Sequence, residues 1–215
     1  MRFSVFFCAA IFLSFSFFSC AETDADVVSA SGTMIFDFSD AESVPSARLA
    51  VFVQLTSDVR RTDNFTISNA ESGYSWSVAK PGIFTGLNKS YAYSLNLSAP
   101  VGEDIPQGSY FVSYYDAAGS EDTIRFSVSY KKELFEATSS KCKEILENAA
   151  ENVAIYDESG ELLFMGKARS SWKTNEAILR DYRLAYTKRI CYVTPGNTVI
   201  CMMPSEKLKE ENSEQ

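Results

Sequence analysis

Histidine is absent from all 215 residues. That excludes Ser-His-Asp and Cys-His catalysis and every zinc site built on an imidazole. It also removes the side chain best suited to moving protons near neutral pH. Basic residues are in deficit, with 20 Lys and Arg against 28 Asp and Glu, for a formal net charge of −8. The basic pairs at Lys131-Lys132, Lys141/Lys143 and Lys207/Lys209 are interleaved with Glu and read as solvated helix faces. No basic stripe is left for a phosphate backbone, so nucleic acid is not an expected partner. No Gly-x-Ser-x-Gly elbow, P-loop, dinucleotide fingerprint or Cys-x-x-Cys pair occurs. The acidic stretch "DESGE" at 157–161 lacks the ligand spacing of a calcium loop and reads as a hairpin turn. Asp116 with Gly119 likewise reads as turn chemistry. The expectation is a protein that is not an enzyme, with no catalytic residue, no cofactor and no metal.

What is present starts at the amino end. Residues 1–20, "MRFSVFFCAAIFLSFSFFSC", hold one positive charge at Arg2 and then an apolar stretch diluted by serine. That stretch is short for a transmembrane helix, and no stop-transfer charge follows it, so it reads as an export signal. Beyond it, no run approaches the roughly 18 apolar residues of a spanning helix. Cys20 sits where the apolar stretch ends, and "AETDADVVSASG" at 21–32 is small, polar and acidic, as a flexible tether would be.

The tetrad Phe17-Phe18-Ser19-Cys20 resembles the lipobox of bacterial lipoproteins, in the looser form typical of spirochaetes. It departs from the strict form in carrying Phe17 for the usual Leu and Phe18 for a smaller residue. The resemblance implies cleavage before Cys20 and acylation of Cys20. The lipid bilayer would then be a partner and the cell envelope the location, periplasmic or surface-exposed. Several acyl chains at about 0.8 kcal/mol per buried CH₂ would hold such a protein stably. The other reading is an ordinary small-x-small site at Ser19-Cys20-Ala21, which would give a freely secreted protein.

From 33 to 130 the pattern has period two. Met34, Phe36 and Phe38 form one apolar face, and Leu49, Val51, Val53 and Leu55 another. Further runs are Phe65/Ile67, Tyr74/Trp76/Val78, Tyr91/Tyr93/Leu95/Leu97, Tyr110/Val112/Tyr114 and Ile124/Phe126/Val128/Tyr130. Seven short alternating strands separated by turn-rich segments predict an antiparallel β-sandwich. The stretch "IPQGSYFVSYYDAAGSEDTIRFSVSY" at 105–130 resembles the last hairpin of bacterial immunoglobulin-like (Ig-like) domains, with Ser120 where Asn is usual. The resemblance implies an Ig-like sandwich and says nothing about ligand.

After 130 the period becomes helical. A helix is predicted over about 132–150, a hairpin around 158–161, a second helix over about 175–187 and a second hairpin around Pro195-Gly196-Asn197. The predicted organisation is a signal at 1–20, a tether at 21–32, an Ig-like β-sandwich at 33–130, a small α+β unit at 131–203 and a disordered tail at 204–215. The small unit is too short to hold a core alone and is expected to pack on the sandwich.

Cys142 falls on the apolar face of the first predicted helix and reads as a buried thiol. A three-residue loop at 195–197 would place Cys191 opposite Cys201, in reach of a disulfide, while a two-residue loop would spoil that register. The aromatic residues mostly share phase with the apolar face and read as core. Phe52, Phe111 and Tyr115 are out of phase and predict an outward patch, an interaction surface or the seat of the α+β unit. The expected function is non-catalytic binding, adhesion or assembly at the envelope, with a protein or glycan partner. The alternative is a carbohydrate-binding module, or an accessory subunit of an envelope enzyme, that stacks sugars on Tyr and Trp.

Overall fold

The structure, a computed structural model, describes residues 27–56 and 58–209. Cys20, the signal and the beginning of the predicted tether lie outside them. The alternating region forms eight strands in two sheets. In the first, β1 (Val27–Asp37), β2 (Ser46–Leu55), β6 (Lys89–Leu97) and β5 (Gly82–Gly86) lie side by side in that order. The second is antiparallel, in the order β4 (Ser75–Val78), β3 (Thr62–Asn69), β7 (Gly108–Asp116), β8 (Glu121–Val128).

Period two puts alternate side chains on one face, and those faces meet. Met34, Phe36, Leu49, Val51 and Val53 pack against Phe65, Ile67, Tyr110, Val112 and Tyr114, all inaccessible to solvent. Each such burial stabilises by roughly 1.5–3 kcal/mol. Tyr110 stacks between Trp76 and Phe126. Its hydroxyl donates to the Pro106 carbonyl at 2.5 Å, tying the start of β7 to the turn before it. Burial pushes its phenol up to about 12.

The first sheet does not stop at β1. β12 (Val199–Met202) adds to the free edge of β1 in parallel, with Met34 opposite Val199 and Phe36 opposite Cys201. β11 (Ala185–Val193), β9 (Ala150–Asp157) and β10 (Leu162–Gly166) follow, each antiparallel to its neighbour. The result is a mixed nine-stranded sheet curled into a half-barrel, including a two-residue strand, β13 (Glu206–Lys207), on β11. The described residues are mainly β, with two short helices among them, α1 (Cys142–Ile145) and α2 (Asn175–Asp181). The segment 130–146 closes one end of the sandwich. Leu134, Cys142 and Leu146 enter the sandwich core, and Phe36 meets Tyr130 and Phe135 edge-on. α2 packs Ile178 on Val153 and Ile155.

Several expectations are corrected. β1 begins at Val27, inside the predicted tether, because Val27 pairs with Leu55 and its amide donates to Asp122. The helix predicted over 132–150 is instead two 3₁₀ turns, at Lys132–Phe135 and Ser139–Lys141, followed by α1. Thr138 is extended and interrupts it, and Glu147 has a positive φ of 34°. The second helix ends at Asp181, and Ala185 already belongs to β11. The predicted tail begins as structure: β13 pairs, and Leu208 is buried against the core under α2. An unpredicted strand, β5, forms a hairpin with β6 through Leu87 and Asn88, both at positive φ (50° and 60°).

The phase of β6 is also inverted over 91–95, while Leu97 is buried as expected. A register shift lies between Leu49↔Leu97 and Val51↔Ser94. The resulting bulge turns Ala92 and Leu97 inward, while Tyr91 and Tyr93 are only half-buried and Leu95 is exposed.

Candidate functional site

The sandwich, α1 and α2 all cover one face of the nine-stranded sheet. The other face is concave and, among the described residues, carries no layer, yet Ala50, Ala154 and Cys191 on it are inaccessible, because the curl brings its own strands together. Small residues at these positions allow the close approach. Met202, Val193 and Ile200 complete this inner packing.

Toward one end lies an ion cluster. Asp37 accepts from Arg48 Nη1 at 2.9 Å and from Arg189 Nη2 at 2.6 Å. Arg189 also donates to the carbonyls of Phe38, Met202 and Met203. Burial acts to raise the Asp37 carboxyl, but the hydrogen bonds and charges of the two guanidiniums outweigh it and hold the group below the usual carboxylate range. The Nε and Nη2 donors of Arg189 are engaged within the fold, so the cluster joins β11 to β1 and β2.

Toward the other end, roughly 13–20 Å along β1, the concave face opens as a cavity of about 400 Å³. Ser31 and Thr33 of β1, Asn152 of β9 and Asn197 of the β11–β12 loop supply its polar lining. Phe52, Met165, Val193 and Ile200 supply the apolar part. No side chain of the lining is ionised. Phe52 stacks on Tyr93, with ring centroids 5.7 Å apart and planes at 28°, forming an aromatic ledge beside the opening. Tyr91 lies next along it and donates to Gln54 at 3.4 Å.

The residues singled out from sequence are dispersed. Phe52 lies at the mouth of the cavity, whereas Phe111 and Tyr115 lie on the outer face of β7, in the other sheet. The three do not form one patch, because period two was read within each strand without knowing which sheet each strand joins. Nor do they seat the carboxy-terminal half, which attaches through β12 on the edge of β1. Phe111 is exposed, with the Arg125 guanidinium 5.9 Å from its ring, and Tyr115 donates to Glu121.

Cys191 and Cys201 are not opposite one another. Val193 pairs with Ile200, so Cys191 faces Met202 and Cys201 faces Tyr192. The loop takes one residue more than the pairing needs. Gly196 and Asn197 are both left-handed, and the Thr194 hydroxyl accepts from the Val199 amide at 2.9 Å. Cys191 therefore points into the concave face and Cys201 into the sandwich core. All three described cysteines are unbonded thiols here.

Asp116 is consumed by its turn. One oxygen accepts from the amides of Ala118 and Ser120, and the other from Arg61. Asp157 does the same for Ser159 and Glu161. Among the described residues no three Cys, Asp or Glu side chains gather as metal ligands, and no helix is long and apolar enough to cross a membrane.

Comparison of the chain with protein-family models, with curated proteins and with solved structures finds no match in any of the three.

Proposed function

We propose that this chain is a non-catalytic binding protein of a bacterial cell envelope, held to a membrane through an acylated Cys20. Its ligand would sit at the mouth of the curled sheet. The observation that carries the binding reading is that cavity: about 400 Å³, lined by two hydroxyl and two amide side chains, without an ionised group, and flanked by the Phe52–Tyr93 ledge. Sites that orient an uncharged ligand have this composition, an apolar surface with a few convergent hydrogen-bonding groups. The amino-terminal half supports an Ig-like assignment. Its pairings, β1-β2-β6-β5 against β4-β3-β7-β8, follow the ABED and C′CFG order of that sandwich. Tyr110, near the start of β7 and bonded back to Pro106, stands where a tyrosine corner stands in that fold.

The aromatic ledge favours a glycan as the ligand, since a sugar presents C–H faces to rings and hydroxyls to amides. A glycan array probed with the wild type, Phe52→Ala and Asn152→Ala tests this. Retention by the wild type and loss in both variants is the expected result. Binding that survives both substitutions would move the site elsewhere, and a blank array would leave a protein partner as the reading. The anchor is tested by metabolic labelling with an alkyne fatty acid. Label present in the wild type and absent in Cys20→Ala is expected, and equal labelling of the two would remove the anchor.

A further inference from the structure

Cys142 and Cys201 come from parts of the chain that no sequence spacing connects. Cys142 opens α1, over the end of the sandwich, and Cys201 lies in the middle of β12. Both are fully inaccessible and both belong to the sandwich core, where Cys201 is the side chain that acts most on the Cys142 thiol, and Cys142 Sγ also donates to the Thr138 carbonyl at 3.8 Å. The neighbouring contacts bring their two segments together. Lys143 Nζ lies 5.8 Å from the ring of Tyr192, the residue paired with Cys201 across the β11–β12 ladder. Cys201 in turn pairs with Phe36, whose ring meets Phe135 of the same segment as Cys142. Cys191, on the opposite face of the sheet, reaches neither.

We propose that Cys142 and Cys201 form the structural disulfide of this protein. The neighbouring Cys201 side chain lowers the Cys142 thiol, while Cys142 and then burial raise the Cys201 thiol. In the closed fold Cys142 is thus the more acidic of the two. During folding, before the segment around α1 closes over the core, Cys142 is accessible, loses its proton, and as a thiolate attacks one sulfur of an oxidant disulfide, such as oxidised glutathione or an envelope thiol oxidoreductase. One thiolate leaves and a mixed disulfide remains. Cys201 then loses its proton and attacks the Cys142 sulfur, expelling the second thiolate. Two thiols are oxidised with loss of two electrons and two protons, and one oxidant disulfide is reduced to two thiols. The bond would tie the last long strand to the segment that caps the sandwich. An oxidising compartment in the cell follows from the export reading, but the chemistry of the pair can be tested apart from it.

The test is disulfide mapping of the purified full chain refolded in a glutathione redox buffer. The protein is denatured, its free thiols are alkylated without reduction, and it is digested. The expected product is a linked peptide pair containing Cys142 and Cys201, with Cys191 alkylated, and the link vanishes on reduction. Cys191→Ala should leave the link intact. Alkylation of both Cys142 and Cys201 after oxidation would overturn the proposal, and so would a link from either to Cys191. Because the oxidant is supplied in the buffer, failure here leaves the export and anchoring readings standing. Conversely, loss of fatty-acid labelling would leave the disulfide untouched.

Discussion

Replacing Asp37 with alanine should be among the most damaging single changes outside the hydrophobic core. The carboxylate receives one charge-assisted hydrogen bond from Arg48 and one from Arg189. Such bonds contribute about 1.5–3 kcal/mol each where water is excluded. The side chains here are 22%, 28% and 17% exposed, so partial screening reduces that sum to about 2–3 kcal/mol. Much of the loss is the cost of leaving Arg189 buried without its counter-charge. For a folded unit of this size that corresponds to a fall of about 5–10 °C in Tm. Urea denaturation of the wild type, Asp37→Ala, Arg48→Ala and the double variant closes a thermodynamic cycle. A coupling energy near 1 kcal/mol or above is expected for the Asp37–Arg48 pair. The pH dependence adds a sign. The folded-state carboxyl is lowered, so its contribution is fully present above the unfolded value of about 3.9. It fades as pH falls through the folded value. The gap between the wild type and Asp37→Asn should therefore be constant from pH 7 to about 5 and narrow below about 4. A loss under 0.5 kcal/mol, the level of an exposed pair, would refute the view that this cluster fastens β11 to β1.

Two further substitutions probe the backbone. A Cβ on Gly32 would lie 2.5 Å from Phe126 and 3.3 Å from Leu49, and Phe126 cannot yield easily because it stacks on Tyr110. Gly32→Ala should cost about 1–3 kcal/mol by overpacking, read as a lower denaturation midpoint with an unchanged m-value. Leu87 holds φ at 50° in a two-residue turn while 98% exposed. Leu87→Asn should therefore raise stability by about 0.5–1 kcal/mol, since Asn tolerates this conformation and no packing is lost. A destabilised variant would show that Leu87 makes a contact the structure does not record.

The strands of the sandwich were legible because alternation within a strand depends only on the pleat. Thus Met34/Phe36/Phe38, Leu49–Leu55 and Tyr110/Val112/Tyr114 were read on their correct faces. The β6 face was misread because a bulge inserts one residue, and no local pattern marks where. The helix over 132–150 failed for a different reason. Leu134, Cys142 and Leu146 recur at near-helical spacing, yet they reach the core from separate turns. The carboxy-terminal hairpins were legible as hairpins. Their union with β1 was not, because a parallel pairing between distant segments leaves no mark in either. The candidate site is assembled from β1, β2, β9, β10, β11, β12 and the β11–β12 loop, and of its lining only Phe52 stands out in the sequence as a surface candidate. Ser31, Asn152 and Asn197 carry no signal until the sheet curls.

The parallel pairing of β12 with β1 also bears on how the chain acquires its structure. The first strand to emerge waits for one of the last, with most of the chain between them, so the contact order of the nine-stranded sheet is high. Pairings of this kind form slowly, after the loop entropy between the partners has been paid. Until β12 arrives, the outer edge of β1 displays unpaired amides and carbonyls beside Met34 and Phe36, a template for association with another chain. Keeping such an edge apart from its neighbours during synthesis is a demand that the finished fold no longer displays.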